Sequence, residues 1–287
     1  MGTITDPRIG IALGGGAARG LAHIPFIEAM DELGLVPHHI AGTSIGALIG
    51  SGWAAGYKGA DIRAMAYEML GTMNGLFGRL FSTQMRSMSN IFREGVSIQL
   101  DPVEVFDTFT PDDMPQTFEA LKIPFTCVAT DFRSWHQVAF HQGPLAPAVA
   151  GSLAVPSLYR PVHFHDTLLV DGGVVNPLPL DHIASDSDIT IAIDVNGDPR
   201  PWPDGYVPTL LDIGLGSAQI MMHQLIAYML AAYPPDLYFR PHNVNIGAHE
   251  YWRVREIVRA GDKAKDRFKR ELGDRIESFI ADQRKIS

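Results

Sequence analysis

The first fifty-five residues contain the same local pattern twice, namely a short apolar run, a turn rich in glycine, and apolar residues at helical spacing. The first copy joins a strand-like run over 8–13 to a helix pattern over 17–33, and the second joins 39–41 to a helix over 45–55. A strand–helix–strand unit makes two parallel neighbours in one sheet, because the helix carries the chain back to the starting end. The pattern therefore predicts an α/β fold with a mainly parallel central sheet.

Later apolar runs extend this sheet and supply helices to cover it. Four of them have the length and composition of strands: 125–130, 137–141, 168–170 and 189–195. Two long helix patterns follow: 209–232 and 252–283. Within the first helix pattern, Pro25 predicts a kink. No repeat or break in composition divides the chain. We therefore expect one domain over 1–287, with a core at about 8–200 and a helical part at 209–287.

Charge and cysteine content exclude several classes of function. The formal net charge is −9, which disfavours attraction to the phosphates of nucleic acid. The single cysteine, Cys127, excludes an internal disulfide and makes a cysteine-based metal site implausible. Residues 1–6 show no basic segment followed by an apolar one, and no stretch has the length and apolarity of a membrane span. We expect a cytoplasmic protein, and the sequence is silent on its oligomeric state.

The second turn has the sequence Gly42-Thr43-Ser44-Ile45-Gly46, which matches the pattern G-x-S-x-G. Flanking glycines permit a sharp turn from strand to helix that lifts the serine hydroxyl clear of the backbone. The helix that follows places its positive N-terminus beneath that hydroxyl. The pentapeptide alone also suits a structural turn, but a strand before it and a helix after it favour Ser44 as a nucleophile.

The first turn, Gly14-Gly15-Gly16-Ala17, opens a helix and presents backbone N–H groups to an anion. Phosphate is one candidate ligand, but the lysine of a P-loop and the spacing of a dinucleotide-binding turn are both missing. An oxyanion hole for a carbonyl attacked by Ser44 fits better. In isolation, the segment also suits a plain tight turn between strand and helix.

A third motif ends the run Leu168–Val170 with Asp171, followed by Gly172 and Gly173. A carboxylate at the C-terminal edge of a parallel sheet lies where open α/β folds bind ligands. Asp-Gly is also a common turn sequence. The motif becomes persuasive only beside the other two.

Together the three motifs resemble the patatin-like phospholipase family, in which a glycine-rich loop with a basic residue (here Arg19) precedes G-x-S-x-G and a later D-G-G. The resemblance continues over nearly the whole chain, through Ala129-Thr130-Asp131, Gly143-Pro144-Leu145, Pro156, Pro161-Val162, Asn176-Pro177-Leu178-Pro179 and the tail from Pro235 to Gly261. One departure is Gly151-Ser152, where the family usually has Ala-Ser, and we expect it to loosen local packing.

The resemblance implies a three-layer α/β/α patatin-like fold and hydrolysis of lipid esters (phospholipid, lysophospholipid or acylglycerol) without a metal or other cofactor. It assigns Ser44 as nucleophile and Asp171 as its base, with no catalytic histidine, through an acyl-enzyme intermediate. The oxyanion hole falls on Gly14, Gly15, Gly16 and Ala17. Supporting positions are Arg19, Gly42, Ile45, Gly46, Gly172 and Gly173.

Two other readings remain open on the residues alone. An α/β-hydrolase triad would pair Ser44 with an acid and a late histidine such as His223, His242 or His249, but its nucleophile follows several strands rather than one or two. A non-catalytic protein that binds lipid or acyl groups would keep the pocket without turnover, and the intact motifs disfavour it.

The segment 69–93 is rich in methionine and phenylalanine, carries three arginines and contains no acidic residue. Such an adaptable apolar surface with positive charge suits an acyl-chain pocket, a lid or a flap that touches a membrane. An ordinary pair of helices packed on the core explains the composition equally well.

Overall fold

A computed structural model describes residues 6–72, 100–198, 205–241 and 246–286. The strands are β1 Ile9–Leu13, β2 His39–Thr43, β3 Phe125–Asp131, β4 His136–Phe140, β5 Val162–Phe164, β6 Thr167–Asp171, β7 Ile189–Ile193 and β8 Leu237–Phe239. The α-helices are α1 Ile24–Leu33, α2 Ile45–Ala55, α3 Gly59–Thr72, α4 Pro102–Phe109, α5 Leu145–Leu153, α6 Leu210–Ala232 and α7 Val254–Ile286.

All eight strands belong to one mixed sheet, in the order β5-β6-β3-β2-β1-β7-β8, with β4 also paired to β3. The five strands from β3 to β8 along this path pair in parallel, as the repeated strand–turn–helix pattern predicts. The pairs β3–β4, β3–β6 and β5–β6 are antiparallel. The expectation that Asp171 would end a parallel strand is therefore wrong, because β6 runs against β3.

Strand β3 brings the ends of β2 and β6 together. In its first part it pairs with β2, where Thr43 lies opposite Val128, and in its second part it pairs with β6, where Asp171 lies opposite Ala129. Because β2 is parallel to β3 and β6 is antiparallel, both end at neighbouring positions of β3. Ser44 directly follows β2, so the sheet register itself places Ser44 beside Asp171.

The sheet is covered on both faces, which gives the predicted three layers. Alternate residues of a strand point to opposite faces, and in β1 the side chains Ile9, Ile11 and Leu13 belong to a large core formed with α1, α2 and α7. Its neighbour Ala12 belongs to a separate cluster that includes Ile226 of α6. Small alanines on that second face allow α6 to pack close to the sheet.

The predicted helix over 17–33 is two helices in the structure. A 3-10 helix spans Ala17–His23, and α1 begins at Ile24, so Pro25 lies in the first turn of α1 and bends no helix. This placement suits proline, because the first turn has no intrahelical acceptor for its missing N–H. Gly34 ends α1 with a φ of 67°. Of the segment 69–93, residues 73–93 lie outside the described residues.

Candidate active site

The turn between β2 and α2 holds Ser44 in a strained conformation, with φ 56° and ψ −126°. Positive φ is uncommon for a residue with a side chain and is tolerated where surrounding structure enforces it. A Cβ on Gly46 would lie 2.2 Å from the carbonyl oxygen of Leu13, and one on Gly42 would lie 2.6 Å from that of Gly46. These glycines therefore allow the helix to start directly against β1 and to aim Ser44 out of the turn.

The hydroxyl of Ser44 donates a hydrogen bond to Oδ2 of Asp171 over 2.5 Å. The other carboxylate oxygen, Oδ1, accepts from the backbone N–H of Gly173 at 2.7 Å. The backbone of Asp171 is fixed as well, since its carbonyl accepts from the Thr130 hydroxyl and its N–H donates to Ala154. The carboxylate is thus held in one orientation with one oxygen on the serine.

Burial makes Asp171 a stronger base than an ordinary aspartate. Ser44 is 5% exposed and Asp171 is 6% exposed. Loss of water around the carboxylate raises its pKa to about 6, although the hydrogen bonds from Ser44 and Gly173 act in the opposite direction. A carboxylate with this pKa is charged at neutral pH and accepts a proton more readily than an exposed one.

The two glycines after Asp171 are close-packed. A Cβ on Gly172 would lie 2.1 Å from the carbonyl oxygen of Val128, so β3 passes directly against this turn. A Cβ on Gly173 would lie 2.9 Å from Oδ1 of Asp171, the oxygen to which the N–H of Gly173 donates. Both positions thus let the backbone approach the carboxylate and its supporting strand.

A second serine, in α5, supports the turn that carries Ser44. The hydroxyl of Ser152 accepts the backbone N–H of Ser44 at 2.7 Å and donates to the carbonyl of Val128 at 2.6 Å. No local motif in the sequence marks Ser152 for this role. Its neighbour Gly151 is closely packed, because a Cβ there would lie 2.6 Å from Cδ1 of Leu169. The expectation that Gly151-Ser152 loosens packing is therefore wrong.

In the glycine-rich turn, two backbone N–H groups donate to protein carbonyls and two have no protein acceptor among the described residues. The N–H of Gly14 donates to Ile193 and that of Gly15 donates to Pro177. Within the described part of the chain, no protein group accepts from the N–H of Gly16 or Ala17, and both residues line the pocket that contains Ser44. Of the four predicted oxyanion donors, Gly14 and Gly15 are therefore already engaged, and Gly16 and Ala17 remain as candidates.

Buried polar side chains hold this turn in place. Arg19, 4% exposed, donates through Nε to the carbonyl of Ile246 at 2.8 Å, and its guanidinium packs against Gly197. His23, which sequence analysis did not single out, lies within hydrogen-bonding distance, 2.9 Å, of the Gly14 carbonyl. Because a carbonyl only accepts, Nε2 carries the proton. Burial lowers the pKa of His23 to about 4, so its ring is neutral at pH 7.

Ser44 and Asp171 both line a pocket of about 1130 Å³, counting the space at its open side. Helix α6 forms one wall through residues that include Met221 and Met222.

Of the late histidines, His249 lines this pocket, whereas His223 bonds to the carbonyl of Gly197 at 2.5 Å. His242 lies outside the described residues. The hydrogen-bond partner of the Ser44 hydroxyl is a carboxylate rather than an imidazole.

Fold and site place the chain among the α/β proteins that carry a serine on a turn from strand to helix. The model of the patatin-like phospholipase family matches residues 11–184. The chain belongs to this family. The match covers the Ser44 turn, the glycine-rich turn from Gly14 and the Asp171 motif.

Individual relatives are similar over different parts of the chain. An uncharacterised NTE family protein of Mycobacterium tuberculosis is 36% identical over 194 residues, which cover 67% of this chain and 50% of that protein. A lysophospholipase of Pyricularia oryzae, NTE1, is 27% identical over 93% of this chain and 19% of its own length. The solved structure of VipD from Legionella pneumophila has a TM-score of 0.48 at 12% identity, over 92% of this chain and 67% of that one. The matched part of the chain thus spans about half the length of this Mycobacterium tuberculosis protein.

In the described ranges, no helix is both long enough and apolar enough to cross a bilayer.

Proposed function

We propose that the protein is a serine esterase that hydrolyses carboxylic esters of lipids, with Ser44 as nucleophile and Asp171 as its only side-chain base. The observation that carries the proposal is the 2.5 Å hydrogen bond from the Ser44 hydroxyl to Oδ2 of Asp171, where both residues line a pocket. A serine hydroxyl is a weak nucleophile until an adjacent base takes its proton. Family membership supports ester hydrolysis as the reaction.

In the first half-reaction, Oγ of Ser44 attacks the ester carbonyl carbon while its proton passes to Oδ2 of Asp171. The carbonyl oxygen becomes an oxyanion, for which the N–H groups of Gly16 and Ala17 and the N-terminus of α2 are the available donors. When the intermediate collapses, its bond to the alcohol oxygen breaks and Asp171 returns the proton to that oxygen. The alcohol leaves, and the acyl group stays on Ser44.

In the second half-reaction, water takes the place of the alcohol. Asp171 accepts one proton from the water as its oxygen attacks the acyl carbon, and the same amides stabilise the new oxyanion. Collapse breaks the bond to Oγ of Ser44, which regains a proton from Asp171. A fatty acid is released and the resting hydrogen bond forms again. No metal ion or other cofactor takes part in this scheme.

The lipid character of the substrate is supported by the wall of the pocket. Its apolar residues include Val155, Leu158, Leu215, Met221 and Met222. Methionine side chains are unbranched and polarisable, so they adapt to flexible hydrocarbon. Phospholipid, lysophospholipid and acylglycerol esters all fit this proposal. Contact of segment 69–93 with a membrane surface, and a cytoplasmic location, remain predictions from the sequence.

A fluorophosphonate probe with an alkyl chain tests the proposal directly, because it reacts with an activated serine. We expect labelling of wild type at Ser44, identified by peptide mass spectrometry, and a parallel loss of hydrolysis of a short-chain nitrophenyl ester. Ser44→Ala should show neither labelling nor turnover, a loss of about a thousandfold or more. Ser51→Ala, which alters another buried serine of α2, is the matched control. Wild-type turnover by Ser44→Ala would refute the assignment.

A further inference from the structure

Two tyrosines, Tyr159 and Tyr251, line the pocket of Ser44 and also a second pocket. We call the second one the α2–α4 pocket, because most of its wall comes from side chains of α2, α3 and α4. It measures about 910 Å³, counting its open side. Ile49, Met65 and Phe109 represent the three helices in its wall. The tyrosines therefore stand at the junction of two neighbouring spaces.

Residues that directly follow site residues in the sequence also line the α2–α4 pocket. Ile45, which directly follows the nucleophile, contributes to its wall. Leu153 also contributes, and it directly follows Ser152, whose hydroxyl accepts the N–H of Ser44. The wall of this pocket therefore begins one residue away from Ser44 and from Ser152.

The two pockets differ in chemistry. The lining of the α2–α4 pocket contains no charged side chain among the described residues, and its polar side chains are those of three tyrosines and one threonine. The Ser44 pocket has Arg19, Asn196, Gln219 and His249 in its wall. In the described structure, Nδ2 of Asn196 is buried and has no hydrogen-bond partner. Both pockets are largely apolar, but only the Ser44 pocket adds charged and amide side chains that can bind oxygen atoms.

We propose that the α2–α4 pocket binds the acyl chain of the substrate, so that the ester lies across the Tyr159–Tyr251 junction. The alcohol part, with any headgroup, then lies in the Ser44 pocket beneath α6, where the unpartnered Nδ2 of Asn196 is the donor for its oxygens. This inference rests on the proposed esterase function and adds a direction to the bound substrate. It predicts that acyl length is selected by α2, α3 and α4.

Gly52 of α2 gives a sharp test. It lines the α2–α4 pocket, and a Cβ built on it would meet no atom within 4 Å outside its own helix. Gly52→Leu therefore fills the pocket with little steric conflict, and leucine is a better helix residue than glycine. We would measure kcat/KM on nitrophenyl esters with acyl chains of four, eight and twelve carbons.

Each buried methylene group contributes up to about fourfold in binding, equivalent to about 0.8 kcal/mol. Gly52→Leu, which displaces several methylenes, should lower kcat/KM on the twelve-carbon ester at least tenfold. Its kcat/KM on the four-carbon ester should change about threefold or less. Laurate should also inhibit hydrolysis of the four-carbon ester less strongly in this variant than in wild type. Gly52→Ala should show the same effects to a smaller degree, and it serves if leucine prevents folding.

Two matched controls use the same kind of substitution elsewhere. Gly273 of α7 has space for a side chain and lines neither pocket. Gly273→Leu should therefore leave the dependence of kcat/KM on acyl length unchanged. Ala218→Leu narrows the Ser44 pocket from α6 and should affect esters with bulky alcohol groups rather than long acyl chains.

The outcomes separate this inference from the function on which it rests. A selective long-chain loss in Gly52→Leu supports it. An unchanged chain-length profile in Gly52→Leu, with activity that still depends on Ser44, overturns the pocket assignment and leaves the esterase function intact. Absence of any Ser44-dependent hydrolysis in the wild type overturns both.

Discussion

The backbone N–H of Ser44 donates to the hydroxyl of Ser152 although 108 positions separate them in the sequence. That hydroxyl in turn donates to the carbonyl of Val128 on β3. The turn that carries Ser44 is therefore tied to α5 and to β3 through one side chain. This tie supports a residue held at positive φ, where a free chain would relax.

Ser152→Ala removes this support and leaves the buried N–H of Ser44 without its acceptor. An unsatisfied buried donor costs about 1–3 kcal/mol, so we expect a lower urea midpoint and a fall in kcat of about tenfold or more. Ser51→Ala is the control, because Ser51 is also buried and bonds only within α2. An equal loss of kcat in both variants would contradict a positioning role for Ser152.

The pKa of Asp171 sets the expected pH dependence of activity. The base must be ionised, and burial raises its pKa to about 6. The value of kcat/KM should therefore rise with pH, reach half its maximum near pH 6 and fall about tenfold per unit below that. A profile that stays flat down to pH 4.5 would show that Asp171 is not the group that titrates.

Asp171→Asn should abolish activity and stabilise the fold at alkaline pH. The pKa of Asp171 is raised from 3.8 to about 6, so the folded protein holds this proton more tightly than the unfolded chain. Wild type therefore loses stability as pH rises between these values, by at most about 3 kcal/mol. Asparagine carries no charge, so the variant does not lose this stability. Its urea midpoint should therefore be higher than that of wild type at pH 8 and equal to it at pH 4.

The control for that measurement is Asp131→Asn, where the opposite sign is expected. Hydrogen bonds from Ser134, first among them its hydroxyl, and from the N–H groups of Arg133 and Leu168 lower the pKa of Asp131. Its charge therefore stabilises the fold above the ordinary aspartate pKa, and this contribution disappears as pH falls. Asp131→Asn should lower the urea midpoint at pH 8. The same sign for both variants would contradict the role of burial at Asp171.

Replacement of late histidines distinguishes a dyad from a triad. His249 lines the Ser44 pocket and is the critical case, while His223 bonds to the carbonyl of Gly197. In a triad the imidazole accepts the proton, and its loss costs about a thousandfold or more. We expect His249→Gln, His223→Asn and His242→Asn each to retain kcat/KM within about tenfold. A collapse in one that still melts like wild type would favour the triad.

Much of the parallel part of the fold follows from local patterns in the sequence. Apolar runs predicted β1, β2, β3 and β7 with shifts of one or two residues, and the second helix pattern matches α2, Ile45–Ala55. These elements are buried on both faces or begin at glycine turns, so their signals are strong. The strands β5 and β8 have three residues each and were missed, because so short a run shows no periodicity.

The parts of the site that sequence reasoning missed depend on contacts between distant segments. Ser152, His23, Tyr159 and Tyr251 carry no local motif, and each reaches the site through packing of another element. Contacts between distant segments also decide which backbone N–H groups of the glycine-rich turn have a protein acceptor. The carbonyls at 193 and 177 accept from Gly14 and Gly15, and this leaves the N–H groups of Gly16 and Ala17 without a protein acceptor in the described residues. Spacing along the chain does not reveal those partners.

Because β2 and β6 both pair with β3, the position of Ser44 relative to Asp171 should tolerate insertions and deletions in the connecting loops. Ser44 and Asp171 are set by the register of β2 and β6 against β3, at Val128 and Ala129, and the lengths of the loops that join these strands do not enter that register. Insertions or deletions in connecting segments leave the reacting pair intact as long as the three strands keep their pairing. A longer loop between these strands would therefore change the surroundings of the site without moving Ser44 away from Asp171.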